Sequence, residues 1–430
     1  MQQKIKKVSL LIGDIITLHL ALTLTLGFRY GFENINLTWE VHYFYFLVIF
    51  GIWLIVFYIY NLYNLLIATD KLKFNNLTIN AVVISSLLSI AFFYLNVESS
   101  ISPKTNLFIF AVLATLLFVL WRKFFNYTLK SYLPRNNLLI IADKDKISDL
   151  LNFLQKKPCL GFNTVLVIKE LMGEEELKQL IFKKRIHTIV LDSSLEKVNS
   201  WRQQLFFCLP YNLVFIDLSS FYEQVTGRVS LETITHTWFL ENFNEGNKKY
   251  FNHIKRIFDL VFSSLLLLIS LPFWSIIAIA IILESGMPIF FKQTRLGKSS
   301  NEFKIIKFRS MINGEKTTKV GGFIRKTRLD ELPQLLNILK NDMSFIGPRP
   351  EQPQIAKELK DKIPFYQERL LVKPGLSGWD QISEKYHSAS YLDSFEKLQY
   401  DLFYIKNRSL YLDLSIFLKT VSTVLRSRGK

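Results

Sequence analysis

The sequence predicts a membrane protein that joins four apolar helices to an α/β region and then to a mainly helical carboxyl-terminal region. Half of its 430 residues are hydrophobic and 14% are aromatic. Mean hydropathy is +0.20, high for a chain wholly in water. Four apolar stretches fill the first third, residues 8–28, 43–63, 77–95 and 107–121, each near the ~20 residues that a spanning helix needs. From Asn137 the texture changes to short apolar runs alternating with charged amphipathic ones.

The first apolar stretch is not a cleavable signal, because Asp14 and His19 interrupt it and no small-residue cleavage pattern follows. Flanking cations give the orientation. Lys4, Lys6 and Lys7 precede the first stretch, Lys71 and Lys73 separate the second from the third, and Arg122, Lys123 and Lys130 follow the fourth. The other two loops carry mainly Arg29 and Lys104, so both ends of this unit are expected on the cytoplasmic side. Asp14 has two readings, a functional polar group or a helix-packing or interfacial one. A formal charge of +17 suits anionic lipid, nucleic acid or phosphorylated substrates alike. Two cysteines, Cys159 and Cys208, supply neither a disulfide framework nor a zinc quartet.

In the next region, residues 138–141, 164–168, 187–191 and 213–216 read as strands, with helices over 144–155 and 174–184. This alternation predicts a parallel α/β domain. The turn after its first strand, Ala142-Asp143-Lys144-Asp145, has no glycine to let backbone approach a pyrophosphate. That counts against a dinucleotide cofactor and for a structural, regulatory or oligomerising role. Residues 226–249 read as a polar connector.

A fifth apolar run, residues 258–283, follows Lys255-Arg256 and is long enough to cross a bilayer. A full crossing would carry the basic segment 292–309 to the outside, against the positive-inside tendency. Pro272, near the middle, removes a backbone hydrogen bond and bends a helix. A helix that dips into one leaflet and returns resolves the conflict; an ordinary kinked span is the alternative.

Chemistry-bearing residues gather beyond this run. Gln293, Arg295, Gly297, Lys304, Lys307 and Arg309 are spaced among Phe291, Phe303, Ile305, Ile306 and Phe308, a pattern that suits either a phosphorylated ligand or side chains snorkelling above lipid headgroups. Leu332, Leu335, Leu336 and Leu339 then recur at helical spacing, which puts Asp330 at or beside a helix start with Pro333 in the first turn. Asp330 is thus either an acidic cap or a nucleophile held where backbone N–H groups also receive phosphate. Arg325 and Arg328 precede it, and two rigid turns follow, Gly347-Pro348-Arg349-Pro350 and Lys373-Pro374-Gly375-Leu376-Ser377-Gly378-Trp379. Guanidinium groups suit phosphate oxygens, and a neighbouring carboxylate can hold a divalent cation on a diphosphate. Near the end, Leu410, Leu414, Phe417, Leu418, Val421 and Leu425 share one helical face before Arg426, Arg428 and Lys430, which suits an interfacial helix or one packed on the core.

Five ordered blocks, Lys255-Arg256-Ile257-Phe258-Asp259, Gln293-Thr294-Arg295-Leu296-Gly297, Phe303-Lys304-Ile305-Ile306-Lys307-Phe308-Arg309-Ser310-Met311, Leu329-Asp330-Glu331-Leu332-Pro333-Gln334-Leu335 and Met343-Ser344-Phe345-Ile346-Gly347-Pro348-Arg349-Pro350, together resemble the bacterial polyprenyl-phosphate sugar-1-phosphate transferases in their large membrane form. The resemblance implies four transmembrane helices over residues 1–130, a degenerate Rossmann-like domain over 131–225, a linker over 226–250 and a mainly α catalytic domain over 251–430. That domain would carry a re-entrant helix at about 256–284, hinged at Pro272, and interfacial amphipathic helices. Asp330 would attack the β-phosphate of a UDP-sugar, release UMP and form a phosphosugar-aspartyl intermediate, which undecaprenyl phosphate then collects. Glu331 would assist through proton transfer or by holding Mg²⁺ together with Asp330, and Lys304, Lys307, Arg309, Arg325, Arg349 and Lys373 would bind substrate. Membrane lipid is an implied partner, nucleic acid is not, and a homodimer is a candidate assembly. The implied location is the bacterial inner membrane, with the catalytic domain on the cytoplasmic face.

The chain departs from the family pattern at Leu271, where serine often precedes the proline, and at Asp380, where alanine often follows the Gly-Trp pair. The sugar is therefore not carried over. Two other readings are a catalytically silent nucleotide-sugar-binding scaffold, against which the intact Asp330-Glu331 pair argues, and a dehydratase acting through the α/β domain, against which the glycine-free turn argues.

Overall fold

The four apolar stretches become helices α1 (Gln2–Tyr30), α2 (Ile35–Ile59), α3 (Lys71–Leu95) and α4 (Pro103–Tyr132) in a computed structural model. It describes residues 2–63, 71–95, 103–132, 136–243, 245–312, 316–383 and 390–425. Each of the four contains a segment long and apolar enough to cross a membrane. Phe46, Trp53, Phe57, Phe110 and Phe118 fill the space among them with edge-on and tilted rings. Asp14 on α1 is fully buried and ion-pairs with Arg122 of α4 at 2.7 Å. The Arg122 guanidinium also lies over the rings of Phe118 and Tyr63. Asp14 thus joins two helices, the packing role among its two readings.

The chain divides into two compact units, Met1–Ile140 with Ile147–Ile189 and Cys208–Val214, and Ile141–Lys146 with Val190–Phe207 and Phe215–Lys430. The α/β region contributes to both. Its strands β1 (Asn136–Ile141), β2 (Phe162–Ile168), β3 (Thr188–Leu191) and β4 (Val214–Asp217) form one sheet in the order β2-β1-β3-β4. His187 N–H donates to Asn137 O and Asp192 N–H to Ile141 O, so β1 and β3 run in the same direction. Helices α5 (Ser148–Lys156), α6 (Glu174–Lys183) and α7 (Val198–Phe206) connect the strands, as the alternation predicts. Helix α8 (Leu218–Thr226) starts on Asp217, whose carboxylate accepts from the backbone of Ser219 and Ser220.

The stretch read as a connector is packed. It includes α9 (His236–Asn242), and Val229, Leu231 and Ile234 are buried in the core of the second unit. That unit is organised along α10 (Lys249–Ser285), a helix of 37 residues with Pro272 inside it. At one end Arg256 donates to the carbonyls of Ile338 and Leu339, and Asp259 accepts from Ser344 Oγ and Phe345 N–H. At the other end Glu284 accepts from the backbone N–H groups of Lys319 and Val320. Between them Trp274 packs on Phe290 and Phe308. The opposite face exposes Ile257, Val261, Leu265, Leu268, Ile276, Ile279 and Leu283. Ser270 Oγ donates to Leu267 O and accepts from Trp274 Nε1, a local polar support beside the proline.

After α10 come an antiparallel hairpin, β5 (Phe290–Leu296) and β6 (Glu302–Phe308), and a two-residue pair, β7 (Met311–Ile312) and β8 (Lys316–Thr317). The alternation of aromatics and cations, read as suiting either a phosphorylated ligand or lipid headgroups, is carried on these two strands. Helices α11 (Lys319–Lys326) and α12 (Gln334–Leu339), then β9 (Ser344–Ile346), α13 (Pro353–Lys362), β10 (Gly375–Ser377), α14 (Tyr391–Asn407) and α15 (Leu410–Leu425), complete the unit. On α15, Ile416 is buried and Phe417 packs on Phe262 and Phe345, while Leu410, Tyr411 and Leu414 are exposed. The basic end at Arg426, Arg428 and Lys430 lies outside the described residues.

Removing one member of the Asp14–Arg122 pair leaves a buried charge uncompensated, at a cost of roughly 3–5 kcal/mol. Arg122→Met is expected to lower the thermal midpoint in detergent markedly, and Asp14→Leu combined with Arg122→Met to lower it less.

Candidate functional site

Three segments converge on the Asp330-Glu331 pair. The first is β6, which presents Lys307; Phe291 is its partner across the hairpin. The second is α11, whose start is fixed by Thr318 Oγ1 accepting from Gly321 N–H at 2.8 Å. Gly321 has no room for a side chain, since a Cβ would lie 2.0 Å from Ser310 O. This helix carries Arg325 in its last turn. Arg328 then adopts a left-handed conformation, φ 57° and ψ 18°, that reverses the chain into a short 3₁₀ turn, Leu329–Glu331. The third is the turn after β9. Parallel pairing with β10 sets Gly347 where a Cβ would meet Lys373 O at 2.5 Å, and Arg349 follows two residues later.

Glu331 is the anchor of the cluster. Its Oε1 accepts from Lys307 Nζ at 3.1 Å and from Arg349 Nη2 at 3.2 Å, and Arg328 Nη1 lies 3.9 Å from Oε2. Burial alone would raise this carboxyl, but Arg349, Lys307 and Arg328 outweigh it and hold it at about 2. Asp330 lies beside the same cations without a hydrogen bond or ion pair from its side chain among the described residues. Burial and the charge of Glu331 push its carboxyl up to about 6, against the pull of Lys307, Arg325 and Arg349. Adjacent carboxyls are thus shifted in opposite directions, Asp330 up and Glu331 down. No side chain caps α12, and Pro333 stands at its N-cap, so Asp330 does not act as a helix cap there.

Other sequence-predicted residues lie elsewhere. Lys304 is exposed, three residues from Lys307 and hence on the opposite face of β6. Arg309 donates to the carbonyls of Ser285, Gly286 and Met287 and so closes the end of α10. Lys373 donates to Asn341 Oδ1, and burial followed by the charge of Arg256 lowers its ammonium. Pro272 stays within α10.

The supporting roles of several residues were not legible from local pattern. Asn337 accepts from Ile306 N–H and donates to Lys304 O, tying the helix after the acidic pair to the strand that bears Lys307. A polar residue beside a leucine stripe was its one signal. Arg295 and Arg369 brace the Arg349 turn from distant positions that no short motif joins.

No group of three or more His, Cys, Asp or Glu side chains is placed to hold a metal among the described residues. Asp330 and Glu331 offer at most two carboxylates, and Glu331 is already engaged by cations. Such a set fits Mg²⁺ only in company with phosphate oxygens from a substrate, the usual mode for that ion.

Residues 250–427 match the bacterial sugar transferase domain. Over 242 residues the chain is 38% identical to the UDP-N-acetylgalactosamine-undecaprenyl-phosphate N-acetylgalactosaminephosphotransferase of Aeromonas hydrophila, covering 53% of this chain and 56% of that one. It is 38% identical over 182 residues to the UDP-glucose:undecaprenyl-phosphate glucose-1-phosphate transferase of Escherichia coli K12, 39% of each chain. An uncharacterised sugar transferase of Bacillus subtilis, EpsL, is 39% identical over 192 residues, which cover 41% of this chain and 89% of that protein. The aligned parts thus span about half or less of the first two relatives.

Asp330 is expected to titrate near 6 in the metal-free protein, neutral below and charged above. Glu331→Gln removes the neighbouring negative charge and should bring this value down, whereas Lys307→Met should push it up. Carboxyl ¹³C shifts against pH check both directions.

Proposed function

The chain belongs to the bacterial sugar transferase family, and from that membership we propose that it transfers a sugar-1-phosphate from a UDP-sugar to undecaprenyl phosphate, releasing UMP. The observation that carries the reading is the contrast within the acidic pair. Asp330 has an unengaged carboxyl of raised pKa, and Glu331 is locked among three cations. A carboxylate of higher pKa is the better nucleophile once ionised, and one free of hydrogen bonds loses less on attack. Relatives named for UDP-N-acetylgalactosamine or UDP-glucose and for undecaprenyl phosphate support the substrate classes.

In the proposed reaction an Asp330 carboxylate oxygen attacks the β-phosphorus of the UDP-sugar. The bond from that phosphorus to the bridging oxygen breaks, and UMP leaves with the oxygen and its electrons. An oxygen of undecaprenyl phosphate then attacks the same phosphorus, which frees Asp330 and yields undecaprenyl-diphosphate-sugar. Lys307, Arg325 and Arg349 meet the phosphate oxygens as their charge shifts. At neutral pH Glu331 has no proton to give, so its part is to hold Lys307 and Arg349 in place. Asp330 and Glu331 would hold Mg²⁺ together with the diphosphate of the substrate, and the ion would supply charge neutralisation for the leaving UMP.

The lipid substrate requires the site to lie at a membrane surface. We read α10 as re-entrant, hinged at Pro272, because side chains at both its ends bind backbone of one unit while its outer face is apolar along the length. The cation distribution around α1–α4 supports a cytoplasmic placement, and family membership supports the bacterial inner membrane.

Purified protein given UDP-sugars, Mg²⁺ and undecaprenyl phosphate is expected to release UMP from one or more of a panel, and Asp330→Asn to lower that release by at least ~10³-fold, the scale of losing a nucleophile. Unimpaired release by Asp330→Asn would sink the assignment. For topology, a cysteine placed at Lys292 should resist membrane-impermeant labelling from outside intact cells; labelling there would defeat the re-entrant reading.

A further inference from the structure

The turn that presents Arg349 is held by backbone contacts at each of four successive residues. Gly347 N–H donates to Ser377 O at 2.9 Å, and Pro348 O accepts from Gly375 N–H at 2.9 Å. Arg349 O accepts from Arg369 Nη2 at 3.0 Å, and Pro350 O from Arg295 Nη1 at 3.1 Å. Two of these donors are guanidinium groups brought from separate elements, one from β5 and one from the segment between α13 and β10. Arg369 is 4% exposed and is itself fixed on three sides, by Tyr366 OH at 2.7 Å, Asp401 at 2.8 Å and Glu351 at 3.7 Å. Glu351 continues the brace, since its carboxylate pairs with Lys397 and lies 3.9 Å from Arg295, and its carbonyl accepts from Leu296 N–H.

A buried guanidinium with this many partners is a costly device for closing a turn, because proline and backbone pairing already restrain it. What it adds is the direction of one side chain. We infer that Arg369 and Arg295 are positioning residues that lock the Arg349 backbone so its guanidinium is preorganised for the diphosphate of the nucleotide-sugar. Before substrate binds, Glu331 is the partner of that guanidinium at 3.2 Å, and Asp380 acts on it from the loop after β10. Preorganisation matters here because Arg349 is more exposed than the rest of the cluster and has a long, flexible side chain. The inference rests on the reading that Arg349 meets substrate phosphate.

The test is a double-mutant cycle read by calorimetric binding of UDP to the full-length protein in detergent with Mg²⁺. Arg369→Lys and Arg295→Gln are each expected to weaken UDP binding by roughly tenfold, the scale on which loss of a supporting residue is felt. On an Arg349→Ala background each should change it less than about twofold, since the group they position is gone. In turnover, the same variants should raise KM for the reactive UDP-sugar more than they lower kcat. Equal penalties on both backgrounds, or a lower thermal midpoint with unchanged UDP affinity, would overturn the inference. Should Arg369→Lys fail to fold, Arg295→Gln, at a half-buried site, carries the cycle alone. Absence of UDP binding by the unaltered protein also overturns it. If the cycle behaves as expected but no UDP-sugar yields UMP, the transfer reaction fails and the brace stands.

Discussion

A carboxylate taken out of water must be met by positive charge, and in this protein that requirement falls on Glu331. Lys307 from a strand, Arg328 from the preceding turn and Arg349 from a loop more than a dozen residues further on all close on it. Each cation would repel the others without that carboxylate, so the cluster holds only as a set. Asp330 inherits its environment from this arrangement. It shares the burial and feels the negative charge of its neighbour, yet the cations are already committed to Glu331. The adjacent residue is left raised in pKa and without a side-chain hydrogen bond or ion pair among the described residues.

The scaffold behind the cluster serves to keep these segments in register. Helix α10 is the common support. Its start is bonded to the end of α12 and to β9, and its end to the start of α11 and to Arg309. Each element that carries a member of the cluster is thus anchored to one helix or to an element that is. The same helix presents a continuous apolar face on its outer side.

Much of this was legible in the sequence, for identifiable reasons. Spanning segments announce themselves by length and apolarity, and the alternation after Asn137 gave the α/β sheet because period and punctuation were clear. The Asp330-Glu331 pair and the arginine-bearing turns stood out by local composition. The β5–β6 hairpin did not, because aromatics alternating with lysines are as well suited to an interface as to a strand. Nor did the division among the cations. Arg309 and Arg349 look alike as residues following an apolar run, yet one closes a helix end on carbonyls and the other reaches the acidic pair. Partners of that kind, and the placement of Arg295 and Arg369 behind one turn, depend on contacts between residues 20 to 55 positions apart. Sequence spacing carries no record of those.

In the proposed transfer Asp330 forms a covalent bond to the phosphosugar, and trapping that species is the decisive measurement. Protein incubated with a radiolabelled UDP-sugar and Mg²⁺, without undecaprenyl phosphate, should retain label that is released by hydroxylamine, and peptide mass spectrometry should place the added sugar phosphate on Asp330. Label that never becomes protein-bound, or that maps to Glu331 or another residue, would contradict the account.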